Sequence, residues 1–451
     1  MITFLKVGWR GFGAVLPWLE ILAAGVAAPL LLFPTVRPTW TAAVLVGLVA
    51  VYLLRLVVRR EPWPVTPFNG ALFLFMLMLP VAVWASAFPD LSLPKLTGLI
   101  LGLAAFRAVA FFVHDRRRLF WALAAFLMVG LGIWAVGFLG TGWPAKFPVL
   151  APLVRRLPRA LLALPGSPDA GINANQLAGA LVLYIPIAVS LTVGWLRERR
   201  FVAALVALII GGLFAATLVL TQSRSGWIGG VAGMIGLSVL AAWSMGRKFG
   251  RVLALALLSA AIIAVVVLVA IRPDILGSFL GTARDPEGEI SLAGRPEIWS
   301  RALYAIQDFS FTGTGLGTFR RVVHLLYPLF MISPDIDIAH AHNIFLQVAL
   351  DVGLPGLIAY LACLWLACEI AWRSARQGSA ALRGLALGLL AGLIALHIYG
   401  LTDAIALGAK PGLAFWLALG LIAGLAGLHD PGTSSRAQSV SPPTVGETQP
   451  C

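Results

Sequence analysis

Apolar runs of about 20 residues, the length a helix needs to cross a hydrocarbon core at about 1.5 Å per residue, follow one another along almost the whole of this chain. The first, Gly13 to Phe33, carries a single charge, Glu20, and comparable runs continue as far as Leu428. With 60% of 451 residues hydrophobic and 12% charged, a soluble core cannot absorb the apolar surface. In lipid each spanning segment must satisfy its own backbone N–H and C=O groups, so the expected fold class is all-α, a polytopic membrane protein. About twelve spans are predicted, centred near residues 24, 48, 78, 104, 130, 185, 210, 236, 262, 360, 390 and 420. No small-residue cleavage site follows the first run, which therefore reads as a retained span. Cys363 and Cys368 share one apolar run and Cys451 ends the chain, a pattern that predicts neither a disulfide framework nor a metal site.

Basic residues alternate between the connections. One set holds Lys6 and Arg10, then Arg55, Arg59 and Arg60, Arg116 to Arg118, Arg197, Arg199 and Arg200, Arg247, Lys248 and Arg251, and Arg373, Arg376 and Arg383. The short connections between them hold single charges, Arg37, Lys95, Arg224 and Lys410. The positive-inside rule makes the first set and both termini cytoplasmic. The expected organisation is transmembrane helices 1–9 over residues 1–271, a large extracytoplasmic loop over 272–342, helices 10–12 over 343–428, and a disordered cytoplasmic tail over 429–451. The large loop and a second long outward connection near 141–172, with Lys146, Arg155, Arg156 and Arg159, place basic surface outside. Such a surface serves either an anionic substrate, for example a lipid phosphate or pyrophosphate, or contact with anionic headgroups of membrane lipids. The net charge of +14 sits beside spans and in these loops, and no nucleic-acid motif accompanies it, so no nucleic-acid partner is expected.

Four stretches carry possible chemistry. "TQSRSGWIGG" (Thr221–Gly230) sets Arg224 among small residues between two spans, where a planar guanidinium suits bidentate contact with phosphate, or snorkels at a helix end. "GRPEIWSRALYAIQDFS" (Gly294–Ser310) has Ile298, Ala302, Leu303 and Ile306 at helical spacing, which predicts an amphipathic helix lying on the bilayer. "TGTGLGTF" (Thr312–Phe319) lacks the Gly-Lys-Ser/Thr ending of a phosphate loop and reads as a tight turn. "DIDIAHAHN" (Asp335–Asn343) gathers Asp335, Asp337, His340 and His342. Asp335 and Asp337 resemble the Asp-x-Asp that holds a divalent ion in many sugar-nucleotide glycosyltransferases, but those use cytoplasmic donors while this loop is expected outside, and the spacing fits no standard zinc pattern. A general base at a helix start beside the membrane, His342, is a stronger reading than a metal site, and a histidine merely hydrogen-bonded in a loop stands as its equal alternative. Glu20, Arg107, Glu369, His397 and Asp403 lie in or beside spans; a transporter would line a pathway with such groups, and His397 with Asp403 is the pair to watch.

The order of "SRSG", "GRPEIWSRAL", "FTGTGLGTF" and "HAHNIFLQVALDVGLPGL" on a chain of about twelve spans resembles the O-antigen ligase and polymerase-like family of bacterial membrane proteins. The motifs cover the second half; the first half matches in hydropathy alone. The resemblance implies a membrane glycosyltransferase fold of the C type (GT-C) in the cytoplasmic (inner) membrane, with its active site facing the periplasm. It implies a donor glycan on undecaprenyl pyrophosphate, an acceptor such as the lipid A core, and neither metal nor cofactor. Residue by residue, it makes Arg224 and Arg295 the pyrophosphate grip and His342 the base, with His340 and Arg320 as secondary candidates. An O-antigen ligase is the expectation; a polymerase using the same carrier, a relative that glycosylates protein, and a lipid or oligosaccharide transporter are the alternatives.

Overall fold

The computed structural model describes residues 2–143, 172–245, 248–271, 294–333 and 336–429. Asp335, Arg247, the basic residues of 144–171, Arg272, Arg284 and the expected tail beyond His429 lie outside the described residues. The helices are α1 (Ile2–Leu32), α2 (Pro38–Arg59), α3 (Asn69–Trp84), α4 (Pro89–Phe112), α5 (Arg116–Gly140), α6 (Ala174–Val182), α7 (Tyr184–Arg197), α8 (Phe201–Leu220), α9 (Arg224–Ser244), α10 (Lys248–Ile271), α11 (Arg295–Asp308), α12 (Phe319–Leu326), α13 (Ile344–Gln377), α14 (Ala380–Tyr399) and α15 (Leu413–His429). The chain is an all-α, multi-pass membrane protein, and each of the twelve expected span centres falls in a helix. Ten helical stretches among the described residues are long and apolar enough to cross a membrane, α6 and α7 together making one of them; α3, with 16 residues, is a shorter apolar helix. The boundary between α6 and α7 comes from Pro186, which has no N–H to give the carbonyl four residues earlier.

The packing centre is α14, which lies against α7 on one side and α9 on the other. Glycines make this possible. A Cβ at Gly384 would stand 2.7 Å from Ser190 O, and one at Gly388 2.8 Å from Ile187 Cα, so α14 rests on the backbone of α7 as small-residue stripes permit in membranes. The large apolar side chains that point away from this centre, such as Val202 at 79% exposed, face where lipid would lie. Glu20 is paired with Arg55 at 3.3 Å and Arg107 at 3.1 Å, and Tyr360 OH and His397 Nε2 are hydrogen-bonded at 2.6 Å. These span charges pair among themselves rather than lining a pathway, which counts against the transporter.

A smaller core caps one end of the bundle. The expectation that α11 lies on the bilayer is corrected here: Ile298 and Ala302 are fully buried against Phe319, Val323, Ile338 and Ala341 of the chain's own loop. Burial against the loop removes those side chains from water as completely as lipid would, and adds close packing. The glycine-rich stretch is the tight turn expected, with positive φ at Gly313, Gly315 and Gly317. It is strapped to α13, where Thr314 N–H donates to Leu350 O (2.7 Å) and Leu354 N–H to Ser310 O (2.8 Å). α13 breaks where it receives this strap: Gly353 has φ +72°, and a Cβ there would lie 2.0 Å from Phe311 O. Gly353→Ala is therefore expected to destabilise the protein by at least about 1–3 kcal/mol, read as a lowered Tm in detergent. An unchanged Tm would mean the strap is not structural.

Candidate functional site

Four connections converge on the capped end, which is the end of α4 remote from the basic turn at Arg59 and Arg60. Ser92 of α4 donates to Leu316 O at 3.1 Å, whereas Arg107, near the other end of that helix, donates to Pro62 O. The start of α9 is capped by Ser223, whose hydroxyl accepts Gly226 N–H, so the next residues, Arg224 and Ser225, open the helix at this end. Thr402 Oγ1 donates to Ser225 Oγ at 2.8 Å, and Arg295 Nη1 reaches the same oxygen at 3.5 Å. The histidine segment joins from the side: Ile344 N–H donates to Gly400 O (2.7 Å) and Asn343 Nδ2 to Leu401 O (3.1 Å). Asn343 also caps α13, accepting from the N–H groups of Phe345 and Leu346. Trp299 Nε1, from α11, contacts His342 O at 3.4 Å.

These contacts bring His340, His342 and Arg295 to one place and add a carboxylate the motifs do not contain. Asp403 Oδ1 is 3.5 Å from His340 Nε2 and 3.5 Å from His342 Nδ1. Asp403 is 4% exposed and Arg295 6%. Arg295 Nε is buried without a hydrogen-bond partner among the described residues, so the guanidinium keeps donor capacity in hand. Arg224 is half-buried and adjoins Ser225. Arg320 is elsewhere in its bonding: its fork grips Asp337 in an exposed pair at the surface of the cap. His397, the suggested companion of Asp403, is instead committed to Tyr360 and Leu393 O.

The electrostatics fix the protons. Burial, the neighbouring His342 and the charges of Lys95 and Arg295 push His340 from its ordinary 6.5 down to about 3, against the pull of Asp403. Burial alone would raise the Asp403 carboxyl, but the close approach of His342 and His340 and the charge of Arg295 hold it well below the usual carboxylate range. His342 N–H donates to His340 Nδ1 (3.1 Å), so the neutral His340 ring carries its proton on Nε2, toward Asp403. The atoms of His340, His342 and Asp403 lie within 4.8 Å of one another, close enough to suggest a metal trio. A cation at His340 Nε2 would displace that proton. Asp337 stands apart from the trio, paired with Arg320.

A stability consequence follows. Between about pH 6.5 and 3 the unfolded chain binds a proton at residue 340 that the folded chain refuses, so stability falls as pH falls through this window. The stability contributed by Asp403 is present above the ordinary carboxylate range and is lost as pH drops from there through its depressed value. Tm is expected to decline on acidification from pH 6.5, and His340→Gln to flatten that decline; an equal decline in the variant would assign the acid lability to other groups.

Residues 210–361 match the family model described as O-antigen ligase. Over 234 residues the chain is 29% identical to an O-antigen ligase of Pseudomonas aeruginosa strain PAO1, an alignment covering 49% of this chain and 51% of that protein. The chain thus spans about half the length of the curated relative it matches. The matched family segment contains Arg224, Arg295, Arg320, His340 and His342; Asp403 and Lys95 lie beyond it and come to the cluster through the fold. Motif order, family model and relative agree in one respect: the segment that builds most of this cluster is similar to O-antigen ligases.

Proposed function

We propose that the chain is a ligase of the O-antigen type, which transfers a glycan from undecaprenyl pyrophosphate to a lipid A core oligosaccharide at the outer face of the cytoplasmic membrane, without metal or nucleotide. The observation that carries this reading is the buried Arg295, its Nε without a partner among the described residues, beside a histidine–carboxylate pair. Asp403 orients His342 through Nδ1 and leaves Nε2 to take the acceptor's hydroxyl proton. The freed oxygen attacks the anomeric carbon, the bond from that carbon to the phosphate oxygen breaks, and pyrophosphate leaves with growing negative charge. Arg295 and Arg224 meet that charge. Arg320 holds the cap together through Asp337 rather than touching the donor. An apolar groove of about 670 Å³ between α8, α9 and α10 supports a lipid-linked donor: it includes Trp227, two residues past Ser225, and runs down α9 to Ser238. A polyprenyl tail lying there would bring its pyrophosphate to the start of α9.

The test is transfer by purified protein in liposomes, given undecaprenyl-pyrophosphate glycan and lipid A core, with the product identified by mass spectrometry and EDTA included in a parallel reaction. Glycosylated lipid A core formed at the same rate with EDTA is expected. A longer glycan still on the carrier would make the protein a polymerase, and no transfer to any acceptor would overturn the enzyme reading.

A further inference from the structure

The peptide between the two histidines is fastened by a buried polar relay. Ala341 N–H donates to Gln347 Oε1 (2.9 Å), and Gln347 Nε2 donates to Asp351 Oδ1 (2.8 Å). The same carboxylate oxygen accepts Gly317 N–H at 2.8 Å. Gln347 is 1% exposed and Asp351 8%, one helical turn apart on the stretch of α13 between the Asn343 cap and the Gly353 break. Lys95 of α4 crosses above: a Cβ at Gly317 would stand 3.1 Å from Lys95 Cγ, and the ammonium lies within electrostatic reach of both Asp351 and His340. An amide and a carboxylate buried in a membrane helix are unfavourable unless their hydrogen-bonding groups are used, and an apolar pair would pack there without that cost. What the relay holds is strained. His342 has φ +47°, a left-handed conformation that a residue with a side chain keeps only where its surroundings over-determine it.

We propose that Gln347 and Asp351 are positioning residues for the transfer reaction: by fixing the Ala341 peptide they hold the left-handed turn at His342 and keep its imidazole against Asp403. Asp351 in turn ties this turn to the glycine-rich strap through Gly317, so the strap, the helix and the histidine segment move as one body. The inference rests on the reading of His342 as the base for its kinetic consequence, though not for its structural one.

The experiment compares Gln347→Met, Gln347→Glu, Asp351→Leu and Asp351→Asn in the full-length protein. Amide hydrogen exchange over 340–343, measured without substrate, is expected to quicken in Gln347→Met and Asp351→Leu. In the transfer assay those two lose about tenfold to a hundredfold in kcat with the donor KM unchanged, the signature of a displaced base rather than a lost binding contact. Asp351→Asn keeps an oxygen for both N–H donors and retains wild-type exchange and kcat. Gln347→Glu keeps the acceptor for Ala341 but not the donor to Asp351, and shows an intermediate exchange rate if the more drastic variants do not fold. Exchange unchanged in Gln347→Met, or Asp351→Asn as damaged as Asp351→Leu, overturns the relay. A wild-type protein that transfers nothing overturns the proposed function instead, and the exchange data then judge the relay alone.

Discussion

His342→Ala is expected to lower kcat for glycan transfer by about 10²–10⁴-fold, the contribution of a positioned general base, while the protein folds and reconstitutes as wild type. The side chain is partly buried at the edge of the cluster, and its removal leaves the Asn343 cap and the Ile344–Gly400 bond intact, since both are made by other groups. Asp403→Asn tests the same pair from the other side. Asparagine keeps the shape but no longer favours a proton on His342 Nδ1 or a positive imidazole, so kcat falls with KM for the donor little changed. His340→Gln separates the two histidines: the neutral His340 donates toward Asp403 and accepts from the backbone, roles glutamine can fill, so the loss there is smaller. Transfer undiminished by His342→Ala would remove His342 from the chemistry.

The spans were legible because a twenty-residue apolar helix is imposed by bilayer thickness and writes itself into composition. Arg295 and the histidines were legible from motifs that lie close together in the second half of the chain. Asp403 was not, although it completes the pair with His342: it follows a span 61 positions later, and only the bonds from Ile344 to Gly400 and from Asn343 to Leu401 bring the two turns together. The signal available was its place, an acid just past an apolar run in a chain with only 19 acidic residues. Arg320 shows that adjacency to a motif says nothing of direction: its fork pairs with Asp337 at the exposed surface of the cap. The face of α11 misled. Helical periodicity shows that one side of a helix must leave water, but lipid and protein satisfy that demand alike, and here Phe319, Val323 and Ile338 satisfied it.

Arg295→Ala is expected to cost about 10²–10³-fold in kcat, comparable to losing one preorganised donor aimed at developing charge. The reasoning starts from the ground state. A guanidinium 6% exposed, with one contact to Ser225 at 3.5 Å and Nε without a partner, is expensive to keep, and Asp403, whose carboxylate feels its charge, is already shared by two histidines. Arg55 and Arg107 also keep one nitrogen each unpartnered, but both face Glu20 at 3.3 and 3.1 Å, whereas no carboxylate lies within salt-bridge distance of the Arg295 donors among the described residues. An arginine kept for an anion has its donors open, and the anion that repays the cost most fully is the departing pyrophosphate, whose charge grows as the bond to the sugar breaks. Arg295→Lys should then recover only part of the rate, because a point charge replaces a planar fork that meets two phosphate oxygens at once. Removing Arg295 also strips a positive neighbour from Asp403, so the folded carboxyl rises toward its ordinary range, stability at neutral pH falls, and the further loss on acidification becomes shallower. A variant that kept full kcat and lost only stability would make Arg295 a structural partner of Ser225 and leave Arg224 to meet the pyrophosphate alone.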